Sequence, residues 1–546
     1  MQRPDYPYPA AADPFGRLAG DLPSLSGQCT RWWRDEEERE TLALLEDSTG
    51  KFLARWVDEE RIDREKDMDP EVLQRAAELG LFGLTIPGEY GGAGLSFKAT
   101  CRLVDVLSRW DRSLGVTVGL HAGLGLRGLL AYGSPELKRR YLPRLASGEY
   151  IACFPVTEPE AGSDIASLRT SARQEGDELV IEGSKIYATN AGFASMATLV
   201  ARTPGLGGAR RGHSMILVPL DRPGVERGAE ENKLGIRGSS TRSLHFDEVR
   251  VGMDHLLGVP AHGLDQLAYV LTWGRTIMAG GCLGLARRAQ QMALAHACER
   301  RQFGRPLVRF GMIQQKLAEA EADIYLMESI LRLVTTLEDE RPASVVWESS
   351  VAKVFCSEAA WRVVDESLQI HGGSGYIEDT GVARLLRDAR ISRIFEGANE
   401  VLRYHLAVGL LMLKHDPAEQ LQRLRLQGPA AGYLGRVLEQ AHQLGEAVAS
   451  LKKRYGMKLI HRQMNLRCLA DAAQALYLQL AVLARLQGRH QQGEAGDEHR
   501  LLLAEHCLDR LAEQLRYHLQ RRDDPDFERL ARLADEQVSR SGLSRE

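Results

Sequence analysis

One carboxylate, Glu396, stands between Phe395 and Gly397 in the stretch QIHGGSGYIEDTGVARLLRDARISRIFEGANEVLR, residues 369–403. Held at a helix start beside an apolar wall, such a group loses solvation, binds protons more tightly and becomes a candidate base for removing a proton from carbon. The bland alternative is a surface glutamate stabilised by the helix dipole. Upstream, VTEPEAGSD (residues 156–164) is a turn of small and hydroxyl residues suited to backbone hydrogen bonding with a phosphate or a ring. It also suits an ordinary Gly-Ser turn between strands.

These residues need several domains to position them. The chain has 546 residues, 44% hydrophobic and 26% charged, too long for one core and too apolar for disorder. Residues 1–40, rich in Pro, Gly and aromatics without a period, read as an arm that docks late or stays mobile. Helical periodicity from Glu36 predicts a helical domain over residues 41–149. Short β-rich runs follow (DELVIEGSKIYAT, MATLVAR, HSMILVPL, TRSLHFDEVRV) and predict a β-domain over 150–260. Helical periodicity then returns, for a four-helix bundle over 261–413 and an added helical domain over 414–546. The predicted class is α+β and mainly helical.

Composition excludes several functions. A net charge of −4 gives no global field to hold a nucleic acid. The eight cysteines are scattered, with no CxxC pair and no His cluster at metal-ligand spacing, so we expect reduced thiols and no metal. The N-terminal MQRPDYPYPAAADPFGRLAGDLP lacks the apolar core of a signal peptide and the character of a transit helix, so a cytoplasmic, bacterial-type location is expected. No uncharged apolar run of membrane-spanning length occurs, and no span is expected.

TEPEAGSD, KIYATN, ERRQFGRPL and IFEGANEVLR occur in this order within a helical, β, helical arrangement. Together they resemble the acyl-CoA dehydrogenase family over residues from about 45 to 413. The stretch RYGMKLIHRQMNLRCLADAAQALYLQLAVLARL is similar to the extra C-terminal domain of its very-long-chain branch. Several motifs in fixed order are far more specific than one alone.

The resemblance implies an enzyme that removes two hydrogens from the α and β carbons of an acyl thioester, giving a trans-2-enoyl product in β-oxidation. It implies non-covalent FAD and an electron-transfer flavoprotein as acceptor. Glu396 is then the base, and its N–H with a ribityl hydroxyl binds the thioester carbonyl. Phe154, Val156 and Thr157 are implied along the isoalloxazine ring, Ser163 near the pyrophosphate and pantetheine, and Tyr187 and Thr189 on the ring face near N5. Arg300 and Phe303, with Gln369, Gly372 and Gly373, are implied to reach FAD from a neighbouring subunit, which requires a homodimer or homotetramer. Ser163, Arg275, Gly119 and Glu396 are the implied substrate contacts. Arg300 alone also reads as a solvated helix charge.

Two positions depart from the family pattern. Tyr187 replaces its usual tryptophan, and Ala398 its common threonine, which removes one hydrogen bond to FAD worth roughly 1 kcal/mol. One branch takes its base from the position before the bundle arginine; here that is Gly274, so no second carboxylate competes.

Gly115, Gly119 and Gly123 recur every four residues and align on one helical face. The stripe reads either as close helix packing or as room for a long acyl tunnel. With the tail domain, the second reading favours long-chain thioesters. The apolar tail helix around residues 473–486 reads as a buried helix or as peripheral membrane contact. Competing functions are a dehydrogenase of carrier-protein thioesters, an acyl-CoA oxidase, and a non-catalytic assembly protein on the same fold.

Overall fold

A computed structural model describes residues 13–208, 210, 212–342, 345–494 and 497–541. The chain forms two compact units, one of residues 27–399 and one of residues 13–26 with 400–546.

In the larger unit the helices begin where short polar side chains cap them. Asp35 accepts from the Glu38 N–H at helix α1 (Glu36–Trp56), Ser96 from Ala99 at α2 (Phe97–Trp110), and Asp111 from Leu114 at α3 (Arg112–Leu120). Helix α3 runs through a π-helical turn, His121–Gly125, into α4 (Leu126–Tyr132). The buried His121 ring ties this turn down: Nε2 contacts the Phe82 carbonyl at 3.0 Å and Nδ1 accepts the Ala152 N–H at 3.0 Å. Desolvation pushes its pKa down to about 4, so the ring is neutral and acts as a structural strut.

The β-domain is one eight-stranded sheet. Its strands are β1 (Ala152–Cys153), β2 (Ser171–Glu175), β3 (Glu178–Thr189), β4 (Met196–Arg202), β5 (His213–Pro219), β6 (Val225–Arg227), β7 (Thr241–Gly252) and β8 (Leu256–Leu257). The order is β6-β7-β3-β2-β4-β5-β8, with β1 parallel to β4. Between Lys185 and Ala188 the β3–β7 register shifts, lifting Ile186 and Tyr187 out of the ladder, Tyr187 with φ +55°. The freed Ile186 N–H donates to the Thr157 carbonyl at 2.8 Å, so the bulge holds the loop after β1.

Three long helices follow, α5 (Gly263–Glu299), α6 (Gly311–Glu340) and α7 (Val346–His371). Helix α5 lies close against α2 and α3 because it is glycine-rich: a Cβ at Gly281 would fall 1.5 Å from Arg112 Nη1.

In the smaller unit, helices Gly428–Tyr455, Gln463–Gln491 and Glu498–Gln520 pack together. The expected N-terminal arm contains a helix of this unit, Pro14–Leu25, whose Phe15 is buried edge-on against Tyr477 at 6.0 Å. Its aromatic and proline residues had obscured the period, although Asp13 caps it and Pro14 sits in its first turn. Residues 400–413, expected in the bundle, group with the C-terminal helices; Arg403 pairs with the nearly buried Asp471 at 2.7 Å. Two helical stretches, Arg112–Tyr132 and Gln463–Gln491, are long and apolar enough to cross a membrane, but their apolar windows are 78% and 89% buried within the protein. The apolar tail helix therefore serves as core.

Candidate active site

Glu396 lies in the loop between the turn Ile391–Arg393 and the helix Asn399–Leu411. Two successive residues have left-handed backbone, Glu396 at φ +55° and Gly397 at φ +93°. For a glutamate this conformation costs on the order of 1–3 kcal/mol and persists only when surroundings impose it. Two cations do so, the half-buried Arg275 and the buried Lys353. Arg275 Nε of α5 donates to the Glu396 carbonyl at 3.3 Å, and Lys353 Nζ of α7 donates to the Gly397 carbonyl at 2.8 Å.

The turn aims the carboxylate at α5. Its Oε2 atom is buried and accepts no hydrogen bond among the described residues. It lies 2.6 Å from where a Cβ on Gly274 would be, and Leu124 Cδ2 of the π turn is 2.3 Å from that same point. Leu124 therefore forms part of the apolar wall, and the absence of a side chain at residue 274 is what admits the carboxylate. Desolvation pushes the Glu396 pKa up to about 7, against the downward pull of Lys353, Arg275 and Arg112. A desolvated carboxylate titrating near neutrality suits proton abstraction.

The expected ring-binding residues come together on the sheet. Phe154 is buried, Val156 and Thr157 are half-buried, and the Ile186–Thr157 hydrogen bond sets them beside Tyr187 and Thr189. Tyr187 is 61% exposed, an unusual setting for an aromatic residue in a sheet. Glu158, within the same motif, turns inward: it pairs with fully buried Lys185 at 2.7 Å and accepts the Thr170 N–H at 3.0 Å. Lys185 also donates to the Val156 carbonyl at 3.1 Å, so this ion pair pins the loop. Ser163 is exposed at its tip.

A second group sits elsewhere. Arg300 caps the far end of α5, Phe303 is 93% exposed at the tip of the hairpin Arg301–Gln302/Arg305–Pro306, and Gln369, Gly372 and Gly373 lie at the end of α7. The stacked rings of His296 and His371, 4.4 Å apart, join the two helix ends. Along α5, Arg300 is about 39 Å from Gly274, so one chain cannot bring both groups to the same end of a ligand. An exposed tyrosine on a bulge, an exposed phenylalanine and open space over Gly372 and Gly373 are surfaces that fit a planar ring system and a dinucleotide backbone.

Gly119 belongs to neither group. A Cβ there would meet Ile277 Cγ2 at 3.0 Å and Val104 Cγ1 at 3.4 Å, and one at Gly123 would meet Ile277 Cδ1 at 3.0 Å. At Gly119 and Gly123 the glycine face packs against Ile277, as the close-packing reading of the stripe expects. Sequence reasoning missed Lys353, Leu124 and Arg112. Only Lys353 carried a signal, as a lone charge inside the apolar run VAKVF.

Acyl-CoA dehydrogenase family models match residues 36–149 (N-terminal domain), 153–249 (middle domain) and 261–411 (C-terminal domain), and an ACAD9/ACADV C-terminal domain model matches residues 434–543. The chain is 33% identical to the mitochondrial very long-chain specific acyl-CoA dehydrogenase of Bos taurus, covering 91% of this chain and 82% of that one. The chain belongs to the acyl-CoA dehydrogenase family. Among solved structures, an acyl-CoA dehydrogenase of Bacillus anthracis complexed with FAD superposes on this dehydrogenase with a TM-score of 0.80 at 28% identity, over 92% of each chain. A prolyl acyl carrier protein oxidase, AnaB, superposes with a TM-score of 0.65 at 27% identity, over 70% of this chain and all of its own. The dehydrogenase thus shares its catalytic fold with enzymes named for other thioesters, while its match to the very long-chain relative extends into the C-terminal helices.

Proposed function

We propose that the dehydrogenase oxidises long-chain acyl-CoA to trans-2-enoyl-CoA in fatty-acid β-oxidation and passes the electrons to an electron-transfer flavoprotein. The reading is carried by the buried, hydrogen-bond-free Oε2 of Glu396 in the slot between Leu124 and Gly274. A weak carbon acid yields its proton only to a base that is both desolvated and fixed in position, and Glu396 is both. Its own N–H, presented by the left-handed turn, binds the thioester carbonyl as negative charge develops there. FAD, when bound, supplies the acceptor for the β-hydride. Phe154, Val156, Thr157, Tyr187 and Thr189 would hold its ring system, and Ser163 its pyrophosphate. Arg300, Phe303, Gln369, Gly372 and Gly373 of a second copy would hold the diphosphate and adenine end, which makes the working enzyme at least a homodimer.

The preference for long chains rests on the match to the ACAD9/ACADV C-terminal domain and on the name of the bovine relative. The test is anaerobic addition of acyl thioesters of graded chain length to the purified yellow protein. Bleaching that is fastest with long acyl-CoA supports the reading. Bleaching only by carrier-bound thioesters, or rapid reoxidation by oxygen, would give the carrier-protein or oxidase reading instead.

A further inference from the structure

Lys353 lies two turns into α7 with its side chain wholly buried, and no carboxylate is within ion-pair distance of its ammonium group among the described residues. A buried cation without an ion-pair partner is costly unless its hydrogen bonds are satisfied. Lys353 directs its two bonds at one target: the Gly397 carbonyl and Asn399 Oδ1, each at 2.8 Å. Asn399 is fixed from its other side, where Nδ2 donates to Ser357 Oγ at 3.0 Å and Glu358 Oε1 at 2.9 Å. Glu358 in turn pairs with Arg393 at 3.0 Å, on the near side of the same loop. Both ends of the Glu396 loop are therefore tied to one face of α7, with Lys353 under its centre.

We propose that Lys353 is a positioning residue for the proton transfer: its ammonium group clamps the left-handed Glu396–Gly397 turn through Gly397 and Asn399, and its positive charge favours the carboxylate form of the base. This rests on Glu396 being the base. Three cations face Glu396, each from a different helix: Lys353 on α7, Arg275 on α5 and Arg112 on α3. Arg275 binds the Glu396 carbonyl and Ser350, and Arg112 bonds to Ser108 and the Met278 carbonyl. Lys353 is faced by Glu396, Cys282, Arg275 and Glu358, and burial pushes its own pKa down to about 8. Of the three cations, Lys353 exerts the largest downward pull on Glu396. A lysine that loses its charge just above neutrality would withdraw that support as pH rises, where Glu396 no longer needs it.

The test uses full-length, FAD-loaded enzyme and follows anaerobic flavin reduction by a long-chain acyl-CoA across the acidic to alkaline range. Lys353→Met keeps the bulk and removes the charge. Its rate should fall at every pH through loss of the clamp, and by about a further tenfold in acid, because one unit of upward displacement in the titration of the base is a factor of ten below it. Lys353→Arg should leave the profile unshifted. Asn399→Ser retains the charge but frees the turn, and should lower the rate by a similar factor at every pH. A Lys353→Met profile that falls in parallel with wild type, with no displacement, overturns the proposal. Should Lys353→Met not fold, wild-type rates in Asn399→Ser overturn the clamp on their own. Failure of the underlying base assignment is distinct: Glu396→Gln would then remain active.

Discussion

The Glu396 carboxylate occupies the volume that a side chain at residue 274 would need, with Oε2 2.6 Å from the position of a Cβ on Gly274. Non-bonded atoms do not approach a Cβ so closely, so the smallest substitution, Gly274→Ala, forces Glu396 or Leu124 to move. Displacing a reacting group by about 1 Å costs on the order of a hundredfold in rate. Gly274→Ala should therefore retain its flavin and its melting temperature within a few degrees while its rate of flavin reduction falls by about that factor. A rate within twofold of wild type would show that the carboxylate sits elsewhere during turnover.

Glu396→Gln keeps the shape and cannot accept a proton, so flavin reduction should fall by more than about a thousandfold with FAD content unchanged. In the wild type the base must be ionised, so the rate should fall with acid below about pH 7 and level off above it.

The same group carries a stability signature of opposite sense. Its folded pKa is raised, so the folded state holds its proton longer than the unfolded chain does, and stability is lost as pH climbs from the ordinary glutamate value through about 7. Glu396→Gln removes that liability. Its Tm should exceed the wild-type value in alkaline buffer and match it in acid. An equal Tm at both pH values would mean that Glu396 is solvated.

Much of this arrangement was legible in the chain because it is written locally. The aspartates and serines that cap α1, α2 and α3 precede their helices directly, and the period change near Tyr150 marks the sheet. Glu396 was legible for the same reason, through its neighbours in sequence. What surrounds it was not, since Leu124, Gly274 and Lys353 lie on three separate helices and meet only after packing. Gly274 was noticed for the carboxylate it lacks, whereas its structural role is the space it leaves. The glycine stripe left two readings open because periodic small residues look alike whether a ligand or Ile277 fills the gap. The helix Pro14–Leu25 was obscured by the composition around it, and its partner Tyr477 lies far along the chain.

Arg300 lies about 39 Å along α5 from Gly274, which borders Glu396, so loss of the arginine should spare the chemistry of the glutamate. Arg300→Ala removes a charge able to pair with a diphosphate of a flavin held by another copy. The variant should lose FAD on dilution, while excess FAD restores near wild-type rates. Full flavin occupancy after dilution, with the oligomer intact, would show that Arg300 is only a solvated charge.

Gly119→Phe separates packing from substrate binding. A Cβ at this position is already 3.0 Å from Ile277, and a ring has no free volume between α3 and α5. Overpacking of this kind costs roughly 1–3 kcal/mol or more, since the helices must part to admit it. Because Ile277 lies one turn beyond Gly274, parting them also disturbs the slot that receives Glu396. The variant should melt several degrees lower and lose activity in parallel towards short and long acyl chains. Selective loss of long-chain activity at unchanged Tm would instead mean that an acyl chain displaces Ile277 and runs along the glycine face, and would return the stripe to the substrate.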